Sequence, residues 1–513
     1  MMNCRKCLSI FTTSLLAAGM LALPAAAATN CGDLLKLSNP GMKVLTAKVV
    51  PAGAFKAPEG QEAFAGPTLP EFCRVEMALK PTADSDIRVE VWLPASRWNG
   101  KYQAVGEGGL AGFIPHRFMA PALAAGYATS CTDTGHVGNN ADFMPAHPEK
   151  LVDFAYRSTH EMAAATKALI ASYYGKAPAR SYYNGCSGAG RHGLTSAQRY
   201  PGDFDGIVAG AFSWNQPRLD AVRIAVNLTV NRSPEGRIPA GKYRMIKEAV
   251  LEACDALDGV ADGVIENPLK CDFDYATLAC KGADGPSCLT APQVASAKVL
   301  TSPFKDPATG AALHPAHLHP GVELEWTTLG GPKPLTNSMQ RVQNFHLKDP
   351  KWQPRPETIV EDIERATRMD GGLVASNSFD LKPFFDRGGK LLLWHGWDDP
   401  QVPANNSIDY YQNVLKTLGS DADNSIALFL LPGVSHCGGG PGCDKFNKMG
   451  AIEDWVEYGK KPARLIASHM TPANVRDMQV DRTRPLCPFP QVAKYVGSGS
   501  TDDEANFVCR EEK

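Results

Sequence analysis

The sequence predicts an α/β fold: a mostly parallel sheet with helices on both faces, one large inserted domain and a framework of disulfides. Three observations lead there. From residue 100 onward, short apolar runs ending in Gly-rich turns alternate with helical stretches, the pattern of βαβ units. Between about 215 and 375 that alternation stops, and then it resumes. The chain also carries 14 cysteines, more than a reducing compartment favours.

Residues 1–27 read as a signal peptide. Arg5 and Lys6 precede the mostly apolar stretch LSIFTTSLLAAGMLAL, and PAAAATN follows with an A-x-A cleavage site around Ala27. A membrane anchor is the alternative, but the apolar core is short and holds Thr12, Thr13 and Ser14. The expected location is secreted or periplasmic. Lys and Arg (52) nearly balance Asp and Glu (54) without a basic block, so neither nucleic acid nor a membrane is an expected partner. Loss of Cys4 and Cys7 with the signal leaves 14 − 2 = 12 cysteines in an oxidising compartment, where pairing is the default. Close spacing suggests Cys254–Cys271, Cys280–Cys288 and Cys487–Cys509, with Cys31–Cys73 as an N-terminal staple. Zinc is the rival use of these thiols, but no C-x-x-C pair remains after cleavage.

Residues 28–214 supply the first part of the core. KYQAVGEGG, YATSCTDTG, SYYNGCS and FDGIVAGAF read as buried strands. RSTHEMAAATKALIASYYG reads as a helix, with Ser158 and Glu161 spaced as a capping box and Gly175 at its end. Residues 215–375 hold an acidic Gly-containing loop, two candidate disulfides, HPAHLHPG, Trp326 and Trp352, and read as a lid domain inserted into the core. Residues 376–513 complete the core, starting with the strands KLLLWHG and IALFLLPG.

Ser187 lies in NGCSGAG, after a predicted strand and before a helix-like stretch. This is the context of a nucleophile elbow, G-x-S-x-G, with Ala189 in the last position. Gly-Ser turns are common, so the partners matter. After the next-to-last strand, HGWDDPQVP puts Asp399 where an acid loop belongs, with Asp398 as the fallback. After the last strand, LLPGVSHCGGGPG puts His436 on a Gly-rich loop. Ser…Asp…His is the chain order of an α/β-hydrolase fold. In this reading Ser187 attacks an ester carbonyl, His436 carries its proton to the leaving alcohol, and Asp399 orients the imidazole. The oxyanion needs fixed donors: the backbone N–H of Gly188 and one from GEGGLAG, at Gly108 or Gly109.

Cys186 precedes the serine and Cys437 follows the histidine. A bridge between them would hold the Ser187 and His436 Cα atoms within roughly 13 Å. It would close a loop of roughly 250 residues, for which chain entropy gives about 5 kcal/mol. Cys186 acting as the nucleophile is the competing reading. The combination of GCSGAGR, HGWDDPQVP and SHCGGGPG resembles the tannase and feruloyl esterase family of α/β-hydrolases. That family carries a Cys-Ser…Asp…His-Cys pattern with the cysteines bonded, and includes mono(hydroxyethyl) terephthalate hydrolases. The resemblance implies a serine carboxylesterase for aromatic-acid esters of feruloyl or other hydroxycinnamoyl, galloyl or terephthalate type, with no organic cofactor. The family reads G-C-S-x-G-G where this chain has Ala189, which is small enough for the elbow. Cys131 and Cys443 have no partner in that pattern; both lie near predicted active-site loops, where a sixth bridge could join them.

CDALDGVADGVIENPLKC, residues 254–271, crowds Asp255, Asp258 and Asp262 into eight residues. Hard oxygen donors on such a loop suit Ca²⁺, although Val260 in the third loop position rules out an EF-hand; a solvated acidic loop is the alternative. The resemblance implies a structural calcium ion held by these three carboxylates and the carbonyls of Val260 and Val264. His314, His317 and His319 could bind zinc, but their two interleaved prolines favour an exposed loop. His136 follows an early strand, where a triad needs no histidine, and His395 should pack at a strand end. Trp326, Phe345, Trp352 and Phe384 are apolar candidates for lining the acid pocket, with core packing as the competing reading. A non-catalytic calcium-stabilised binding protein and a serine peptidase are the alternative functions. The sequence sets neither the ester nor the oligomeric state.

Overall fold

The computed structural model describes residues 30–58, 68–106, 108–472 and 478–512, and the expected signal peptide lies outside them. Its centre is a nine-stranded sheet of β1 (Met42–Val50), β2 (Phe72–Leu79), β3 (Ile87–Pro94), β4 (Lys101–Val105), β5 (Ala128–Thr132), β6 (Arg180–Cys186), β7 (Gly206–Gly210), β8 (Lys390–Gly396) and β9 (Ile426–Leu431). The spatial order is β1-β2-β3-β5-β4-β6-β7-β8-β9. Pairing is antiparallel from β1 to β5 and parallel from β5 to β9. The six strands expected from the apolar runs are the six parallel ones. The three added at the N-terminal edge alternate charge with apolar residues (Arg74, Glu76, Arg88, Glu90), as antiparallel strands do.

Period two sorts the side chains. Ile207, Ala209, Leu391 and Leu393 face one layer, with residues of α2 (Ser158–Tyr174), α3 (Gly188–Arg199) and α4 (Ala404–Leu418). Val208, Leu392 and Trp394 face the other, with α1 (His116–Ala124) and α5 (Lys448–Tyr458). Gly175 ends α2 in the left-handed region at φ 70°, as expected. The capping box does not form. Helical backbone already runs through Pro148–Val152 and a π-helical turn at Asp153–Arg157, so Ser158 lies inside continuous helix with a buried hydroxyl that has no partner among the described residues.

Between β7 and β8 the chain builds a second apolar core, from Ala221 through Trp326 and Trp352 to Ala366. The His/Pro segment belongs to its buried edge and is not an exposed loop. His317 Nε2 meets the Gln401 carbonyl at 3.2 Å, His319 packs edge-on against Trp397 with ring centroids 5.2 Å apart, and burial pulls His314 and His319 down to about 4. Apolar packing around the imidazoles outweighs the loop tendency of the prolines. Among the described residues five disulfides form, Cys31–Cys73, Cys186–Cys437, Cys254–Cys271, Cys280–Cys288 and Cys487–Cys509, as the sequence suggested. Cys131 and Cys443 are not disulfide-bonded and lie in separate apolar clusters, so no sixth bridge joins them.

Gly210 ends β7 directly beside Trp394, and a Cβ added there would stand 2.1 Å from Trp394 Cε2. Gly210→Ala is expected to cost about 1–3 kcal/mol through displacement of the indole. Thermal unfolding checks this, and an unchanged Tm would refute the packing argument.

Candidate active site

The site is assembled where the parallel strands end. Ser187 follows β6 directly, and its amide donates to the Gly210 carbonyl (2.9 Å) while its own carbonyl accepts from Arg191 N (3.0 Å), the first turn of α3. This sharp strand-to-helix step places Ser187 at φ 60°, a strained setting for a non-glycine residue. Small neighbours make it feasible: a Cβ on Gly185 would fall 2.7 Å from the Ala189 backbone, and one on Gly190 2.4 Å from the Gly210 oxygen. Ala189 is fully buried between them.

His436 Nε2 lies 2.8 Å from Ser187 Oγ, and its Nδ1 lies 2.6 Å from Asp399 Oδ2. Asp399 is held by its own turn, with Oδ1 accepting from Gln401 N (2.8 Å) and Val402 N (2.9 Å). Oδ2 also meets His395 Nε2 at 3.1 Å. That same nitrogen is 2.9 Å from the Val402 carbonyl, so it must carry the proton, and Nδ1 accepts from Ser407 Oγ at 2.7 Å. Burial works against a charge on Asp399, yet the pull of His436 and the hydrogen bonds from His395 and His436 hold its carboxyl far below the usual carboxylate range. His395, expected only to pack, is a second clamp on the acid. Its place at the head of HGWDD, four residues before Asp399, was the available signal.

Asp398, the fallback acid, points elsewhere. It faces Lys247 of the insert at 3.9 Å, and burial raises its carboxyl to about 7. Gly108 and Gly109 meet the nucleophile turn closely: a Cβ on Gly108 would lie 3.2 Å from Ser187 Oγ, and one on Gly188 3.2 Å from Gly109 N. Gly108, Gly109 and Gly188 therefore stand against one another beside Ser187. His136 braces this loop, with Nε2 2.9 Å from the Leu110 carbonyl. The Cys186–Cys437 bond, Cα–Cα 6.0 Å, joins the residue before Ser187 to the residue after His436. Cys186 is thereby excluded as the nucleophile. An open cavity of about 1470 Å³ runs from Ser187 and His436 between α1, α5 and the turn Leu335–Gln340. Trp326, Phe345, Trp352 and Phe384 do not line it and belong to apolar cores.

At the acidic loop, Asp255 accepts from Asp262 N (3.2 Å) and Gly263 N (2.9 Å), and Asp258 accepts from Val260 N (2.9 Å). Asp262 accepts from Val264 N at 3.2 Å and pairs with Arg482 (3.1 Å) and Arg484 (2.6 Å). Half-buried Glu266, overlooked in the sequence, shares a small cavity with Asp258 and Asp262. Burial and the neighbouring carboxylates raise Asp258 to about 6 and Glu266 to about 8. The donor set is all hard oxygen, which fits Ca²⁺ in kind, although Arg482 and Arg484 already pair with Asp262. Among the described residues, however, no three acidic, His or Cys side chains converge as metal ligands.

A family model for tannase and feruloyl esterase matches residues 73–510. An uncharacterized esterase of Xanthomonas campestris pv. campestris is 36% identical, spanning 98% of this chain and 95% of its own length. The mono(2-hydroxyethyl) terephthalate hydrolase of Piscinibacter sakaiensis is 32% identical over 86% of this chain and 85% of its own. The crystal structure of feruloyl esterase B from Aspergillus oryzae superposes with a TM-score of 0.85 at 29% identity, covering 94% of this chain and 99% of that one.

The two adjacent aspartates separate by experiment. Asp399→Asn is expected to lower kcat/KM on an ester by roughly 10³–10⁴-fold. Asp398→Asn acts on stability. A carboxyl held at about 7 in the fold and 3.8 unfolded binds a proton that the unfolded chain has released between those pH values, so stability falls as pH rises through that window. Asp398→Asn therefore raises Tm relative to wild type at pH 8 but not at pH 4; an equal shift at both would refute it.

Proposed function

This chain belongs to the tannase and feruloyl esterase family and is a carboxylic ester hydrolase; we propose that it is a secreted serine esterase cleaving esters of aromatic acids through Ser187, His436 and Asp399. One observation carries the reading: the unbroken line Ser187 Oγ–His436–Asp399, at 2.8 and 2.6 Å, at the wall of a cavity large enough for an aromatic ester. The feruloyl, galloyl or terephthalate character of the acid rests on the names of the relatives. Five disulfides support an oxidising destination. No described helix is long and apolar enough to cross a membrane.

The chemistry follows from the geometry. Ser187 Oγ bonds to the ester carbonyl carbon as His436 Nε2 takes its proton, and the carbonyl π electrons move to oxygen. The N–H groups of Gly188 and Gly109 hold that oxyanion, with Gly108 leaving the space open. Collapse breaks the bond to the alcohol oxygen, which receives the proton from His436. Water then repeats the cycle on the acyl-enzyme and releases the acid. Asp399 stays ionised throughout and stabilises the imidazolium.

For the acidic loop we propose a structural calcium ion with Asp255, Asp258, Asp262 and the carbonyls of Val260 and Val264 as ligands. Its binding would offset the mutual repulsion of the carboxylates, behind the Cys254–Cys271 bond that closes the loop. No catalytic step passes through it.

Turnover of methyl gallate, methyl ferulate, chlorogenate and a terephthalate monoester, with Ser187→Ala as control, tests the main reading. At least one ester should be cleaved, with kcat/KM reduced at least about 10⁴-fold in the variant; equal turnover would sink the mechanism. For calcium, chelator-treated protein should gain about 2.7 kcal/mol of stability at a Ca²⁺ concentration 100 times the Kd. An unchanged Tm on adding Ca²⁺ would remove the ion from the proposal.

A further inference from the structure

A second, much smaller cavity lies against the nucleophile. It encloses about 30 Å³, roughly the space of one water molecule, and Ser187, Gly188 and Gly109 form part of its wall. Arg191, Arg223 and Arg341 form another part, and each is no more than 5% exposed. Arginine is almost never buried so fully unless it is paired.

The counter-charges here fall short. Arg341 grips Asp220 through Nε and Nη2, both at 2.7 Å, and Arg223 Nη1 approaches the same carboxylate at 3.4 Å. Arg191 pairs with no carboxylate among the described residues. Its guanidinium donates instead to the carbonyls of Ala155 (2.7 Å), Val374 (3.3 Å) and Phe154 (3.4 Å). The other carboxylates nearby are already engaged. Asp370 accepts from Val374 N and Ala375 N and adjoins His346, and Asp399 is held by its own turn and two imidazoles. Burial accordingly pulls both Arg191 and Arg223 down to about 10.

A donor is left over as well. Arg223 Nη2 meets the Gln401 carbonyl, and Nε lies on the same edge of the guanidinium, the edge by which Arg341 takes Asp220. That Nε–H is buried and has no partner among the described residues. The edge it occupies faces Gln401, which also lines the small cavity. Surplus positive charge and an unpaired donor thus meet at one space of fixed size.

We propose that this cavity is a binding site for a small monovalent anion of halide size. Such an ion offsets the surplus charge, accepts from Arg223 Nε and fits a space too small for an aromatic acid. The site itself stands apart from the esterase reading, while its effect on turnover rests on it. Three arginines beside Gly188 and Gly109 favour negative charge on the ester's carbonyl oxygen. A halide ion in the cavity cancels that field, so it lowers kcat and leaves KM nearly unchanged. At an effective dielectric of about 20, a unit charge roughly 10 Å away corresponds to about tenfold in rate.

The test starts from chloride-free protein in sodium gluconate. Exchange of gluconate for chloride or bromide at constant ionic strength should raise Tm. It should also lower kcat about tenfold, at saturation, on the neutral methyl ester cleaved fastest in the panel above. Bromide in a crystal should give an anomalous peak beside Arg223 Nε. Arg223→Gln should lose the Tm response, and Asp220 keeps Arg341, Ser338 and His346 in that variant. Should it fail to fold, Asn337→Asp serves, on the wall shared by both cavities. Its carboxylate stands in for the anion, so kcat should start about tenfold low and ignore chloride. Equal Tm in chloride and gluconate, a bromide peak with no response in solution, or a chloride response retained in the variants would overturn the proposal. Chloride raising only KM, and only for monomethyl terephthalate, would also overturn it, because the site would then belong to the substrate's own carboxylate. If no ester is cleaved the esterase reading falls, and the Tm and bromide measurements still decide the site.

Discussion

The Cys186–Cys437 bond holds together two turns that the backbone alone does not favour. Ser187 sits at φ 60° and Cys437 at φ 65°, both in the left-handed region, where a non-glycine residue costs about 1–3 kcal/mol. The strands that deliver them, β6 and β9, stand three strand spacings apart in the sheet, roughly 14 Å. The loop after β9 must therefore fold back across the ends of β7 and β8. Glycine makes this return possible: a Cβ on Gly442 would lie 1.9 Å from the Pro432 oxygen, and one on Gly396 2.1 Å from the Val434 oxygen. With the loop so compressed, one covalent bond sets where the imidazole meets the serine.

Electrostatics then fix the state of the acid. Asp399 accepts two backbone N–H groups on one oxygen and two imidazoles on the other, so its carboxylate is saturated without water. A buried carboxylate satisfied in this way is held in its charged form well below the usual carboxylate range. His395 is the less obvious partner. Its own orientation is locked by Ser407 and the Val402 carbonyl, so it fixes the plane of the carboxylate that in turn orients His436. One residue earlier, Asp398 has no such set of donors and shifts in the opposite direction. Neighbours in sequence thus end with opposite charge behaviour, because one faces the strand-end turn and the other faces the insert.

What the sequence made legible was whatever chemistry and period two encode locally. The six parallel strands announced themselves as unbroken apolar runs, and Ser187, Asp399 and His436 each followed one of them. The cysteines beside Ser187 and His436 marked which histidine belonged to which serine. What stayed hidden depends on long-range packing. The strands before residue 100 interrupt their apolar runs with charges, and the pairing of β3 with β5 is visible only in the assembled sheet. The prolines of HPAHLHPG suggested exposure, while burial against Trp397 and Gln401 decided otherwise. Ser158 had the right spacing for a cap, but the helix starts ten residues earlier because a π-helical turn carries the backbone through. Glu266 gave no sign of itself, since its partners Ala493 and Arg484 lie more than two hundred residues away.

The insert reaches the candidate site through a buried ionic cluster. Arg341 grips Asp220 with two bonds of 2.7 Å, Ser338 donates to the same carboxylate at 2.9 Å, and His346 meets it at 3.3 Å. Arg223 contacts both Asp220 and the Gln401 carbonyl, two residues beyond Asp399. Buried ion networks are a weak source of stability, because desolvation consumes much of the Coulombic gain. They do fix position. Asn337 and Gln340 share a helical turn with Ser338 and Arg341, and both line the cavity above Ser187. A cluster anchored at one end to the acid's turn and at the other to the cavity wall keeps those surfaces at a constant distance. The insert therefore contributes to the site as a held wall, while the strand ends supply Ser187, Asp399 and His436.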